Sequence, residues 1–255
     1  MSFWRRAAMI ALVVTLPAAA IAVAATTRRT GRPSPAVWVT PSPPPLTVTV
    51  ARYGFEGPRP WADVSRSGHD LTPFTGNRAR PRRIPHGAGR AVQFPPPCTG
   101  EPCPRMILRV LSRDSLNPGA EPFSYGASVR LSPEHTTDGQ NVIQKGYAAE
   151  GSQFKLQIDG RAGHPSCVLV GEDSRTIHVV VADVGVADGA WHRIICRRGP
   201  AELVILVDGV SRSATPIPAE LRIENVMSLN IGGKSAHSHN DQFHGAVDDV
   251  WITRP

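Results

Sequence analysis

Asp188-Gly189-Ala190-Trp191-His192-Arg193-Ile194-Ile195-Cys196-Arg197-Arg198 and, three residues on, Glu202-Leu203-Val204-Ile205-Leu206-Val207-Asp208-Gly209 carry the strongest structural signal in the chain. Both runs are rich in β-branched and apolar residues, and an Asp-Gly pair stands beside each. Asp-Gly supplies the positive φ that tight turns need. The pattern reads as two strands bounded by turns. Residues 203–207 are apolar on both faces, which predicts a central strand covered on each side. Trp191 offers a large apolar body to plug the interior at a strand start.

The same punctuation extends over most of the chain. Candidate strands fall at 48–56, 90–95, 105–111, 123–131, 141–147, 153–159, 166–171, 176–182, 191–198, 202–208, 226–231 and 243–252. No window of helical length keeps the i, i+3, i+4, i+7 pattern free of Pro and Gly. About twelve short strands with turn signals between them imply an all-β sandwich or barrel. Phe154, Leu156 and Ile158 alternate with Lys155, Gln157 and Asp159, so that strand has one wet face. Phe243 and Val247 share one parity while Val250 and Ile252 share the other, so a β-bulge is expected near Asp248-Asp249, the alternative being that both faces are buried at that end.

The chain begins Met-Ser-Phe-Trp-Arg-Arg and then carries no charge from Ala7 to Thr27. Arg5 and Arg6 form a basic start, an apolar stretch follows, and Ala22-Val23-Ala24 fits small-residue cleavage. Residues 1–24 are read as a secretory signal peptide, the alternative being an uncleaved anchor over 7–27. Either places the remainder outside the cytoplasm. Residues 25–47, rich in Thr, Arg and Pro, read as a linker too poor in apolar surface to order itself. Residues 48–255 make the folded domain. The net charge of +7 is unevenly placed. Residues 1–50 carry five Arg and no acid, residues 51–90 eight Arg against three acids, and the rest fifteen basic residues against eighteen acids. The slightly acidic balance of residues 91–255 argues against a basic face throughout the domain, and so against a nucleic-acid partner. Membrane contact is expected only through the N-terminal segment.

Four cysteines suit an oxidising compartment. They allow three pairings, and sequence alone does not choose among them; proximity favours Cys98–Cys103, leaving Cys167–Cys196. Zinc spacing is absent. The paired carboxylates of sandwich glucanases, Glu-x-Asp-x-x-Glu, are missing, and Glu172-Asp173 point to opposite faces of a strand. There is no Gly-x-Ser-x-Gly, His-Glu-x-x-His or phosphate-binding glycine loop; Gly232-Gly233-Lys234 reads as a turn. No catalytic residue is assigned. His237, His239 and His244 with Asp241 are the densest metal-capable run, against which stands an ordinary polar loop. His192 reads as packed or hydrogen-bonded. Asp63 and Asp70 share one loop, and Asp248 joins them if the first and last strands are neighbours, which would make a calcium site; against it stands the reading as ordinary solvated loop acids. Arg78-Ala79-Arg80-Pro81-Arg82-Arg83 could bind an anionic polymer but lacks interleaved aromatics, so it reads as a solvated loop.

Tyr53-Gly54-Phe55-Glu56, then Ala62-Asp63-x-Ser65 through Asp70-Leu71, then Phe123-Ser124-x-Gly126-Ala127, Val142-Ile143-Gln144-Lys145-Gly146, Asp188-Gly189-Ala190-Trp191-His192, Leu206-Val207-Asp208-Gly209, Leu229-x-Ile231-Gly232-Gly233 and Gln242-Phe243-x-Gly245-x-Val247-Asp248-Asp249-Val250 follow one another in the order of a laminin G-like domain. The chain from about 50 to 253 resembles that concanavalin A-like lectin/glucanase superfamily. The resemblance implies an antiparallel two-sheet jelly-roll sandwich whose rim loops bind a polysaccharide or a surface protein without catalysis, often with one calcium. Carried over by residue, the metal ligands would be Asp63 and Asp248, with Glu56 a weaker third. A Cys167–Cys196 bridge resembles the extra disulfide of secreted bacterial members. The alternative is a glycoside hydrolase or lyase of the same superfamily.

Overall fold

The computed structural model describes residues 46–172 and 176–255. The proposed signal or anchor (1–24 or 7–27), Trp38, most of the 25–47 linker and Asp173 lie outside the described residues. Among those described, helix is confined to two single 3-10 turns, Asp114–Leu116 and Pro133–His135, and no helix is long and apolar enough to cross a membrane. The architecture is all-β.

Among the described residues, fifteen strands form two antiparallel sheets. In chain order they are β1 (Val48–Tyr53), β2 (Thr72–Gly76), β3 (Arg82–His86), β4 (Gly89–Gln93), β5 (Arg105–Val110), β6 (Phe123–Arg130), β7 (Gln140–Gly146), β8 (Gln153–Asp159), β9 (His164–Val170), β10 (His178–Val181), β11 (Trp191–Arg198), β12 (Glu202–Val207), β13 (Val210–Pro216), β14 (Leu229–Ile231) and β15 (Ala246–Arg254). The first sheet runs β13-β12-β11-β6-β15-β4-β3, with β1 also paired to β15; the second runs β10-β9-β8-β7-β14-β5-β2. First and last strands are therefore neighbours. Interior strands turn their apolar parity toward the opposite sheet, and one large core fills the space between them. At its centre Phe123, Tyr125 and Phe154 meet with ring centroids 5.0 to 5.4 Å apart.

Three strands escape the sequence pattern: β2, β3 and β13. Each lies at an edge of its sheet. An edge strand buries little, and β2 and β3 contain Pro73 and Pro85, which sheets tolerate at their margins. The strand expected to be central, β12, is instead next to the edge, although Leu203, Val204, Ile205 and Val207 are all buried. Trp191 does not plug the interior. It pairs with Arg130 on the outward parity and packs on a small outer cluster of Ile84, Ala91 and Ala246. The bulge in β15 falls where the phase changes: its register against β6 shifts between Asp248 and Trp251, and Asp249 adopts φ +41°.

Cys98 is bonded to Cys103 and Cys167 to Cys196. The second bridge joins β9 of one sheet to β11 of the other, both sulfurs in the core. Two buried cations fasten the loops at one end. Lys145, fully buried, points its Nζ at Ser112 Oγ (3.2 Å), Asn225 O (2.9 Å), Asn225 Oδ1 (2.8 Å) and Met227 O (3.0 Å). Burial pulls its pKa down to about 8, with Asp114 opposing. Arg198 donates to the carbonyls of Glu121 (2.6 Å), Ala219 (3.2 Å) and Leu221 (2.9 Å). Gly232 turns the chain after β14 at φ +88°, where a Cβ would collide with the Phe94 ring, so the Gly-Gly-Lys segment is a packed turn.

Candidate binding face

The loop 232–242 leaves β14 and folds across the outer face of the second sheet. It is held there by amides. Gln242 Nε2 donates to Met106 O (2.9 Å) and Gly232 O (2.7 Å), and its Oε1 accepts from Met106 N (2.9 Å). Asn240 Nδ2 donates to Ser235 O (2.7 Å), Asn230 Nδ2 to Lys234 O (3.0 Å), and the Tyr147 hydroxyl to Lys234 O (2.6 Å). Side-chain amides that bond backbone on both sides fix a loop firmly, because each buried polar group they satisfy would be costly to leave open.

Between this loop and β2–β5 lies a cavity of about 600 Å³, with Phe74, Asn77, Glu101, Arg105, Arg109 and His237 in its wall. The Arg109 guanidinium sits 4.2 Å from the Phe74 ring centroid, a cation–π contact that lays two flat groups together. Arg105 is aimed by Asn240 Oδ1 (3.2 Å) and Glu101. The wall thus offers a part-exposed aromatic face beside planar donors and acceptors in fixed positions, the pattern of a pocket that orients a polar ligand. Sequence reading missed Phe74 because Pro73 hid its strand, and missed Arg105 and Arg109 because they are ordinary outward residues of β5.

Further along the same face, Asp159 accepts from Gln157 Nε2 (2.5 Å) and Ser166 Oγ (3.0 Å). Burial raises its pKa, and the charge of Asp241 adds to the rise. Asp241 is itself paired with Lys234 (3.1 Å), and burial lowers the pKa of the neighbouring Lys155. His237 lines the cavity, whereas His244 Nδ1 is 2.8 Å from Pro95 O. Among the described residues no three His, Cys, Asp or Glu side chains converge as metal ligands.

The residues expected at a calcium site are placed apart in role. Asp63 accepts the backbone N–H of Arg52 (3.0 Å), Ser65 (2.9 Å) and His69 (3.1 Å). Burial works to raise its pKa, but the Ser65 hydroxyl and these amides outweigh it and hold the carboxyl low. Its own N–H donates to Asp70 Oδ1 (2.8 Å). Asp248 lies on the outer face of the first sheet, 2.6 Å from His86 Nδ1, and accepts from Asp249 N (2.7 Å). Burial raises its pKa, with Glu56 adding to the rise. Glu56 in turn accepts from Arg90 N (2.8 Å). Each of the three carboxylates serves N–H donors of its own, and among the described residues they do not form a cluster of three.

His192 sits at the rim, its Nδ1 2.8 Å from Asp208 and its Nε2 3.1 Å from Asp188. It ties together the two Asp-Gly turns. Of the basic stretch, Arg83 donates to the carbonyls of Phe55 (3.1 Å) and Gly57 (3.0 Å), and Arg78, Arg80 and Arg82 are exposed.

Two antiparallel sheets closed over one core, with loops presented at the rim, define the lectin-like β-sandwich class. Residues 110–254, more than half of the chain, match the family described as the concanavalin A-like lectin/glucanases superfamily, and the chain belongs to it. No curated protein matches the sequence. Among solved structures, the binding domain of Paraclostridial Mosquitocidal Protein 1 aligns with TM-score 0.61 and 10% identity over 81% of this chain and 48% of that one. Domain 4 of AbnA, a GH43 extracellular arabinanase from Geobacillus stearothermophilus in complex with arabinotriose, aligns with TM-score 0.61 and 14% identity over 82% and 93%. The binding domain of Botulinum Neurotoxin DC in complex with SialylT aligns with TM-score 0.57 and 10% identity over 80% and 47%. The chain spans about half the length of the two toxin domains. At these identities the likeness is one of fold.

Proposed function

We propose that the chain is an exported, non-catalytic binding module that holds carbohydrate on the outer face of its second sheet. The observation that carries this is the cavity between Phe74, Arg109, Arg105 and the amide-braced loop 232–242. Structural neighbours that bind arabinotriose and SialylT support a saccharide as ligand, and a surface protein is the other partner class. Two disulfides support an oxidising, extracytoplasmic location.

A glycan array probed with the protein, then with Phe74→Ala and Arg109→Ala, tests the reading. Binding should fall about tenfold or more in each variant, the loss expected when a desolvated contact is truncated. Phe74 is 38% exposed, so its variant should melt where the parent does. Hits that ignore both substitutions would move the site elsewhere. A rim calcium is read in the same material: it would have to draw Asp63 and Asp248 from their N–H donors. A higher melting temperature in calcium than in chelator supports such an ion, and coincident curves remove it.

One observation favours a hydrolase instead, namely the raised pKa of Asp159 opposite Asp241, the polarity a general acid needs. Turnover of an array hit that disappears in Asp159→Asn would establish catalysis.

A further inference from the structure

We propose that the outer face of the first sheet carries a second binding site, for a saccharide polymer bearing carboxylate or sulfate groups. A cavity of about 520 Å³ opens there, with Arg82, Ile84, Gln93, Arg130, Ser132 and His135 in its wall. Arg82 stands on the edge strand β3 and Arg130 at the end of β6.

Two cations without a carboxylate partner face this cavity together. Arg52, Arg59, Arg105, Arg193 and Arg222 each pair with a carboxylate. Among the described residues Arg82 and Arg130 pair with none. The nearby Asp188 is taken by Ala190 N (2.8 Å) and His192, and Glu134, beside His135, is exposed to solvent. Two guanidiniums facing one concavity repel each other and attract anions, and each can bind a carboxylate or sulfate through two parallel N–H bonds. Arg78 and Arg80, exposed just upstream of β3, extend the positive strip along the chain. A strip of cations fits a polymer with repeated charges better than a single anion.

The remaining wall selects among anionic polymers. Ser132 and the Gln93 side chain offer groups for hydroxyls, although the Gln93 Nε2 is engaged with Phe94 O and Gly245 O (both 3.0 Å). Nucleic-acid bases would need an open ring to stack on. Trp191, the adjacent aromatic, is covered by His86 at 3.9 Å between centroids, and Arg130 lies over its ring at 5.3 Å. Ile84 and Trp191 pack into the outer cluster, so no large apolar side chain projects here to enter a lipid surface. An acidic polysaccharide satisfies all of these conditions.

The test is binding of the full chain to dextran sulfate, polygalacturonate, neutral dextran, a single-stranded homopolymeric RNA and phosphatidylglycerol vesicles, at low and raised salt. Expected is salt-sensitive binding to dextran sulfate or polygalacturonate above all other probes, the better of the two telling sulfate from carboxylate. The double variant Arg82→Gln, Arg130→Gln should weaken it about tenfold or more, while Arg59→Gln leaves it unchanged. Should the double variant fail to fold, Arg82→Gln alone, on an exposed side chain, should still weaken binding severalfold. No binding to either acidic polysaccharide, RNA or vesicles bound as tightly, or affinity indifferent to Arg82 and Arg130 would each overturn the proposal. The Phe74 variant reports on the other face, so the two sites succeed or fail separately.

Discussion

His192 stands between two carboxylates that each belong to an Asp-Gly turn, and its titration should be visible in stability. Partial burial works against its charge, but the hydrogen bonds its ring donates to Asp208 and Asp188 prevail and raise its pKa. The hydrogen bond to His192 helps lower both aspartates in return. A base with a raised folded pKa stabilises fully below its unfolded value of about 6.5, and the benefit disappears as pH rises through the folded value. The depressed aspartates act oppositely, losing their contribution as pH falls below about 4. The deficit of His192→Gln should therefore be greatest between about pH 4 and 6.5 and shrink above that range. Because the aspartates are half-exposed, solvent screening keeps it below about 1 kcal/mol. Melting curves of both proteins across pH check this; a deficit growing with pH would contradict the assignment. Trp191 next door teaches a different point. Ile194 and Cys196 mark the inward parity of β11, and Trp191 shares its parity with Arg193. The sequence held the outward direction of this ring, and a size argument overrode it.

The strands that sequence reading missed are the ones with the least to bury. β2, β3 and β13 each end a sheet, and their exposed residues break the alternation by which interior strands are recognised. Interior strands such as β8, whose Phe154, Leu156 and Ile158 all face the core, were legible because one face is paid in apolar area. The cavity of the second sheet was illegible for the same reason: it joins the edge strand β2 to a loop more than 150 residues away. Proline at an edge has its own role, since it removes a donor that a second molecule could pair with. Replacing Pro85 by Thr on β3 should leave the monomer fold intact and raise self-association, measured by light scattering against concentration. A variant that stays as dispersed as the parent would show that the surrounding arginines alone guard this edge.

Across the whole molecule, the bridge from Cys167 to Cys196 ties one layer of the sandwich to the other. Its ends lie 29 residues apart, and the chain-entropy model assigns such a loop about 3–4 kcal/mol. The double substitution Cys167→Ala, Cys196→Ala should lower the unfolding free energy by roughly that amount in a denaturant titration. A change under about 1 kcal/mol would mean that the sheets hold each other unaided. The all-β sandwich and the superfamily were readable from motifs spread along the chain, because turn chemistry repeats wherever a sheet is entered or left. What the carboxylates do was not readable, since an aspartate's partner depends on which backbone amides the fold points at it. Lys145 and Arg198 add a last consequence. Each is a positive peg grown from the polypeptide and seated among its own carbonyl oxygens. A joint built this way is finished at the moment of folding, and it neither waits on the mineral content of its surroundings nor loosens when that content is stripped away.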